Sequence, residues 1–372
     1  MLYVDIPTPA DIRFLIASRD GPCVSIYLPT TPVTQEAQAD RIALKNLTRD
    51  VVRELELSGT DNRLTAEIVE QSYDLIDDDE FWRVQAHGLA IFVTPTNMRT
   101  FRLPTALVPL SKASDRFLLK PLLRSVSFAQ SCYVLALAQK SVRVIEVLPD
   151  MPAEVVHIDG LPSNAGRAIQ GSGVADHWPS GRIHGREGQK VLLRQFARNV
   201  DKSLRPLLSG SDIPLVLAAT EPLASIYRSI NSYSHLARTG IEGNPEEITN
   251  GELAERARRV LDDIYRGELS DWRELFAVRD SQGRATTDIA QAARAAVAGA
   301  IEALVVDIDE IVPGRMNDDG SIVFAEQSNW SNHDLVDEIA KSVIVTGGRV
   351  IGVRKSDMPR EGSLAAILRY AL

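Results

Sequence analysis

The sequence predicts an α/β protein of three domains, and three observations carry that expectation. The chain has 372 residues, long for one core when domains hold ~100–200 residues. Apolar runs of strand length alternate with helical periodicity, most regularly after Thr286, the pattern of a layered α/β sandwich. Composition shifts twice, near residues 125 and 280, so the expected domains are 1–125, 126–280 and 281–372.

In the first block, Thr8 with Asp11 three residues on reads as a capped helix start. Residues 23–28 form a β-type run closed by Pro29. Ile42, Leu44, Leu47, Val51, Val52 and Leu55 recur at helical spacing, predicting a helix over 39–57 that Gly59 stops. A second helix is expected over 63–76. Residues 88–94 and 98–103 read as two strands joined by a Pro95-Thr96-Asn97 turn.

In the second block, residues 131–138 and 141–147 read as a hairpin around Gln139–Lys140, with 154–157 as a third strand. A loop rich in Gly, Ser and Pro covers 160–185. A helix is expected over 188–208 and a buried strand over 213–219, and Pro222 sits in the first turn of the next helix. Residues 251–276 form a charged helical stretch. The third block alternates: helix 288–302, strand 303–307, strand 321–325, helix 333–346 ended by Gly347–Gly348, and strand 349–353.

Composition excludes some classes. Hydrophobic residues make up 44% and charged residues 24%, ordinary for a soluble protein. No apolar run approaches the ~20 residues that cross a bilayer, and no secretory signal pattern opens the chain. No membrane partner and a cytoplasmic location are therefore expected. Cys23 and Cys132 lie in strand-like runs and are expected as buried free thiols rather than a disulfide or zinc site. The net charge of −9 argues against a surface that coats nucleic acid as a whole. The stretch 166–205 departs from this, with eight Lys and Arg against three acids, a local +5.

Familiar catalytic motifs are missing: no Walker loop, zinc spacing, nucleophile elbow or dinucleotide fingerprint. Gly171-Ser172-Gly173 is too short to cradle a phosphate. His177 and His184 lack a third metal ligand at a recognised spacing, Asp318-Asp319-Gly320 reads as a turn, and Asp307, Asp309 and Glu310 read as a solvated strand end rather than a cation site. No cofactor and no metal are expected.

The informative segment is His184-Gly185-Arg186-Glu187-Gly188-Gln189 and the basic helix after it. Lys190, Arg194, Arg198 and Lys202 recur every four residues, which places them in a slowly winding stripe. Leu193, Phe196, Val200, Leu204 and Leu207 mark the opposite side. Such a stripe suits a phosphate-rich partner; a plain solvated helix face is the competing reading.

This segment resembles the HGRGGQ-plus-basic-helix run of archaeo-eukaryotic class-one release factors. Residues 363–370, Ser-Leu-Ala-Ala-Ile-Leu-Arg-Tyr, resemble the Gly-Ile-Ala-Ala-Ile-Leu-Arg ending of that family and of its ribosome-rescue relative Pelota. Residues 23–29 and 88–92 resemble two strands of its first domain. The matches are in order, span almost the whole chain, and fit best the bacterial branch, which includes ribosome-hibernation factors.

The resemblance implies a release-factor-like first domain that reaches the decoding centre. It implies a ribonuclease H-like middle domain presenting the Gly-Gly-Gln loop, and a third domain like kink-turn-binding ribosomal proteins that docks GTPases. Carried residue by residue, it gives Gln189 and Gly188 as the catalytic pair. His184, Arg186, Lys190, Arg194, Arg198 and Lys202 become the RNA-contacting set. The implied partners are the ribosome through rRNA, tRNA, and a translational GTPase such as elongation factor Tu.

Two departures shape the functional expectation. Glu187 stands where the family has the first glycine, placing a Cβ and a carboxylate beside the tRNA end. No Asn-Ile-Lys-Ser segment precedes the long helix of the first block; residues 34–39 take that place. A nuclease reading fails because residues 131–138 hold no acid and Glu146 is alone on the next strand. The expected function is a non-catalytic ribosome-binding factor of hibernation or rescue. The alternatives are a codon-independent peptidyl-tRNA hydrolase using Gln189 and a scaffold reused away from the ribosome.

Overall fold

The computed structural model describes residues 4–19, 21–32, 37–128, 131–148, 152–166, 186–210, 213–326, 330 and 332–371. Residues 124–126 and 186–188 are described by their backbone alone. The chain divides into two compact units: Met1–Phe128 with Glu268–Leu372, and Ala129–Gly267. The second boundary falls within helix Asn250–Ser281.

Strand β1 (Cys23–Pro29) is apolar on both faces, and both are covered. Val24, Ile26 and Leu28 enter a core with helices Ala37–Leu57 and Asn62–Asp77. Cys23 and Tyr27 enter another with helix Pro9–Ala17. The antiparallel sheet runs β3–β2–β1–β4, with β2 at Gly88–Thr94, β3 at Asn97–Leu103 and β4 at Leu110–Ser114. Thr8 and Asp11 form the capping box that opens the first helix. Strand β4 and the following helix Lys120–Ser127 are additions to the sequence expectation.

In the last block, β10 (Ile301–Asp307) lies parallel to β14 (Arg349–Val353) and antiparallel to β15 (Leu364–Leu368), with β9 (Ala285–Thr286) beyond β15. The helix expected over 288–302 is shorter, Ile289–Val297. Gly299 takes a φ of +66°, which turns the chain out of the helix and into β10. A smaller sheet, β12–β11–β13, is built from Pro313–Met316 (β11), Ile322–Phe324 (β12) and His333–Asp334 (β13), ahead of helix Leu335–Val345.

The first and last blocks, read from the sequence as separate domains, share one unit. Leu123 of helix Lys120–Ser127 enters the core of the last block, and Gly352 N–H donates to Ser127 Oγ at 2.9 Å. Beside these lies a buried ionic network. Lys120 Nζ sits 2.5 Å from Asp334. Asp337 accepts from the backbone N–H groups of Leu119 and Lys120 at 2.9 and 2.6 Å. Lys341 lies 2.7 Å from both Asp337 and Glu338, and Arg116 lies 2.5 Å from Glu338. Each carboxylate in this low-dielectric setting has a cation or an N–H donor, as buried charge requires.

The second unit holds the sheet β7–β6–β5–β8, from Cys132–Leu137 (β5), Val142–Val147 (β6), Glu154–Val156 (β7) and Leu215–Ala218 (β8). β5 is antiparallel to β6 and parallel to β8. Alternate residues of β5 point to opposite faces. Leu135 and Leu137 meet helices Arg186–Leu208 and Leu223–Ile230. Cys132, Val134 and Ala136 meet Leu253, Ala254, Ala257 and Val260 of helix Asn250–Ser281. Cys23 and Cys132 are both buried and free, and burial pushes the Cys132 thiol up to about 12.

Candidate RNA-contact surface

Helix Arg186–Leu208 is fixed in rotation by what it buries. Leu193, Phe196, Ala197, Val200, Leu204 and Leu208 are each at most 4% exposed, packed on Leu135, Leu137, Val144, Leu215 and Leu217 of the sheet. With one side clamped, the other is set by the 3.6-residue turn. Lys190, Arg194, Arg198 and Lys202 are all exposed there. At a rise of about 1.5 Å per residue, four-residue steps separate them by about 6 Å along the axis, with a drift of about 40° per step.

Among the side chains described on this helix, the acid beside the stripe does not cancel it. Asp201 is 5% exposed and turned inward, accepting from Ser232 N–H at 3.0 Å and Ser232 Oγ–H at 2.8 Å. Arg205, one turn on, lies 3.2 Å from the same carboxylate. Its charge is engaged, and Lys190, Arg194, Arg198 and Lys202 form no ion pair among the described residues. The sequence could place Asp201 beside Lys202 but not turn it inward; that needs Ser232, a partner 31 residues away.

Gln189 is exposed and lies in the first turn of the helix. Its side chain makes no hydrogen bond among the described residues, so nothing there holds the amide against a substrate. Arg186, Glu187 and Gly188 have helical backbone. The helix thus starts two residues earlier than its expected start at 188, and residue 187 has a conformation that any L-residue adopts, so a glycine is not required there. His184, with the loop from 167 to 185, lies outside the described residues, as does His177. Among the described residues no group of three or more His, Cys, Asp or Glu is arranged to hold a metal. No described helix is long and apolar enough to cross a membrane.

Residues 129–267 match the family described as bacterial archaeo-eukaryotic release factor family 11. This unit is similar to a release factor family. The matched segment coincides with the second compact unit and contains the whole stripe.

Solved structures give fainter likenesses across more of the chain. The archaeal translation termination factor aRF1 is 13% identical over 98% of this chain and 99% of its own, with a TM-score of 0.24. Dom34 of S. cerevisiae, a translation termination-like factor that interacts with Hbs1, is 12% identical over 74% and 73%, with a TM-score of 0.41. An archaeal Pelota in a ribosome-bound model with ABCE1 is 13% identical over 99% and 96%, with a TM-score of 0.38. No curated protein matches the chain.

Proposed function

We propose that this release-factor-like protein is a ribosome-binding factor of hibernation or rescue. It holds RNA through the Lys190–Arg194–Arg198–Lys202 stripe and does not catalyse peptide release. One observation carries this reading: four exposed cations without ion pairs among the described residues, on a helix clamped by its apolar side, within the unit that matches a release factor family. Such an array neutralises successive phosphates and releases their counterions. Arg186 and His184 extend the same reading toward the loop.

Within this proposal the middle unit is ribonuclease H-like, which the parallel β5–β8 pair beside the antiparallel β5–β6–β7 strands supports. The first block is then release-factor N-domain-like and the last resembles kink-turn-binding ribosomal proteins. A translational GTPase such as elongation factor Tu is the proposed delivery partner, and tRNA a second RNA ligand.

The deciding experiment is co-sedimentation with 70S ribosomes across a salt series. Four phosphate contacts predict a log–log slope of roughly −3, at ~−0.7 per phosphate of irregular RNA. Reversing Arg194 and Arg198 to Glu adds repulsion to lost attraction, so affinity should fall and the slope flatten. A solvated helix face predicts a mutant that binds like wild type, and that outcome removes the proposal. The exposure of Gln189 favours a second reading, peptidyl-tRNA hydrolysis. Release from stalled complexes at a release-factor-like rate, abolished by Gln189→Ala, would select it.

A further inference from the structure

Among the described residues, the hairpin of β11 and β12 leaves a strand edge open. β12 pairs with β11 on one side, with Gly314 opposite Phe324, Arg315 opposite Val323 and Met316 opposite Ile322. Among the described residues no strand lies on its other side. Asn317 N–H donates to Ser321 O, and Ala325 N–H donates to Pro313 O, each at 2.9 Å. In an antiparallel ladder, alternate residues turn their backbone groups toward the partner. Ser321, Val323 and Ala325 therefore face β11, while Ile322 and Phe324 turn their N–H and C=O groups to the open edge. None of those four groups is hydrogen-bonded among the described residues.

Side chains and charge define what would complete this edge. Ile322 packs against the core of the last block, whereas Val323 and Phe324 are each 61% exposed. Asp318 and Asp319 precede the strand, Glu326 follows it, and all three are exposed. Asp319 fixes the turn by accepting from Ser321 N–H at 2.9 Å and Ser321 Oγ–H at 2.6 Å. The one base of the hairpin, Arg315, lies on β11, the strand away from the open edge. Gly314 is required by close approach: a Cβ there would lie 2.6 Å from both Leu335 Cδ1 and Val323 O. The hairpin is thus held tightly against the helix that follows it.

We propose that β12 is a docking edge for an extended, basic segment of a partner protein, which adds as a further antiparallel strand. Its backbone pairs with Ile322 and Phe324, its apolar residues cover Val323 and Phe324, and its Lys or Arg side chains meet Asp318, Asp319 and Glu326 at the strand ends. Exposed apolar edges are pairing sites. Strand addition of this kind takes affinity from the main chain and selectivity from alternate side chains. Three acids against one base set the sign of the partner. The inference does not rest on the ribosome proposal.

The test uses the full chain and a fluorescein-labelled nine-residue peptide of alternating Lys and Val, followed by anisotropy. The same peptide with Glu for Lys is the control. The lysine peptide should bind saturably and slow amide exchange at Ile322 and Phe324; the glutamate peptide should not. Phe324→Pro removes an outward N–H and leaves the β11 ladder intact, so binding should weaken roughly tenfold with the melting temperature unchanged. If that variant melts early, the surface pair Asp318→Lys with Glu326→Lys decides, and it too should weaken binding. No saturable binding by wild type overturns the proposal. So does equal binding by a folded Phe324→Pro variant or by the charge-reversed pair. Equal binding of the glutamate peptide overturns the basic partner.

Discussion

Position 187 shows how one residue bears on the chemistry. Its backbone is helical, so glutamate is tolerated for folding where a loop needing positive φ would reject it. Peptide release needs groups held to a fraction of an ångström around the ester, and a carboxylate beside the tRNA phosphates opposes that approach. Native protein should give negligible hydrolysis of peptidyl-tRNA in a release assay, and Glu187→Gly should raise whatever residual rate exists. Asp201 is a second informative residue. Asp201→Ala removes the charged acceptor of both Ser232 N–H and Ser232 Oγ–H, so the variant should lose about 1–3 kcal/mol, read by thermal or urea unfolding.

On the proposed reading, the basic helix separates folding and binding onto opposite sides. Phe196 is fully buried at its centre, and Phe196→Ala should cost about 3–5 kcal/mol through the cavity it leaves. Arg194→Glu with Arg198→Glu changes only exposed positions, where substitutions usually stay within about 0.5 kcal/mol. Unfolding curves of the two variants should therefore diverge sharply, while ribosome co-sedimentation should fail for the charge-reversed protein. A large stability loss in the double reversal would mean that the stripe belongs to the fold.

For the whole molecule, the association of the first and last blocks depends on the buried ionic network. Removing one member strands the others: Lys341→Met leaves Asp337 and Glu338 without their shared cation and should cost about 3–5 kcal/mol. The network also sets a pH dependence. Burial alone raises the Glu338 pKa, but Lys341 and Arg116 outweigh it and hold the carboxyl at about 2 rather than its ordinary 4.5. A depressed carboxyl contributes stability that is full above its ordinary value and lost as pH falls through its folded one. Burial instead raises Asp337, so its contribution runs the other way and offsets part of this. The melting temperature should fall between pH 4.5 and 2 in wild type and fall less steeply in Glu338→Gln. Equal slopes would show that other carboxyls carry the acid response.

Local pattern was enough wherever one element's own residues decide its structure. The capping box at Thr8 and Asp11, the strands around Cys23 and Gly88, the hairpin over residues 131–147 and the two-sided helix from Lys190 to Leu208 were all legible, because periodicity and capping act within a few residues. A resemblance to release factors was legible from the HGREGQ run, within the unit that matches such a family. Tertiary structure decided what depends on distant partners. It shortened the helix before β10 at Gly299, and it turned Asp201 inward onto Ser232. It buried Lys120, Asp334, Asp337, Glu338 and Lys341 together. It also left the outer edge of β12 open among the described residues. The physical reason is range: backbone preference and amphipathicity are properties of neighbouring residues, whereas burial of charge and completion of a sheet are settled only by what packs across from them.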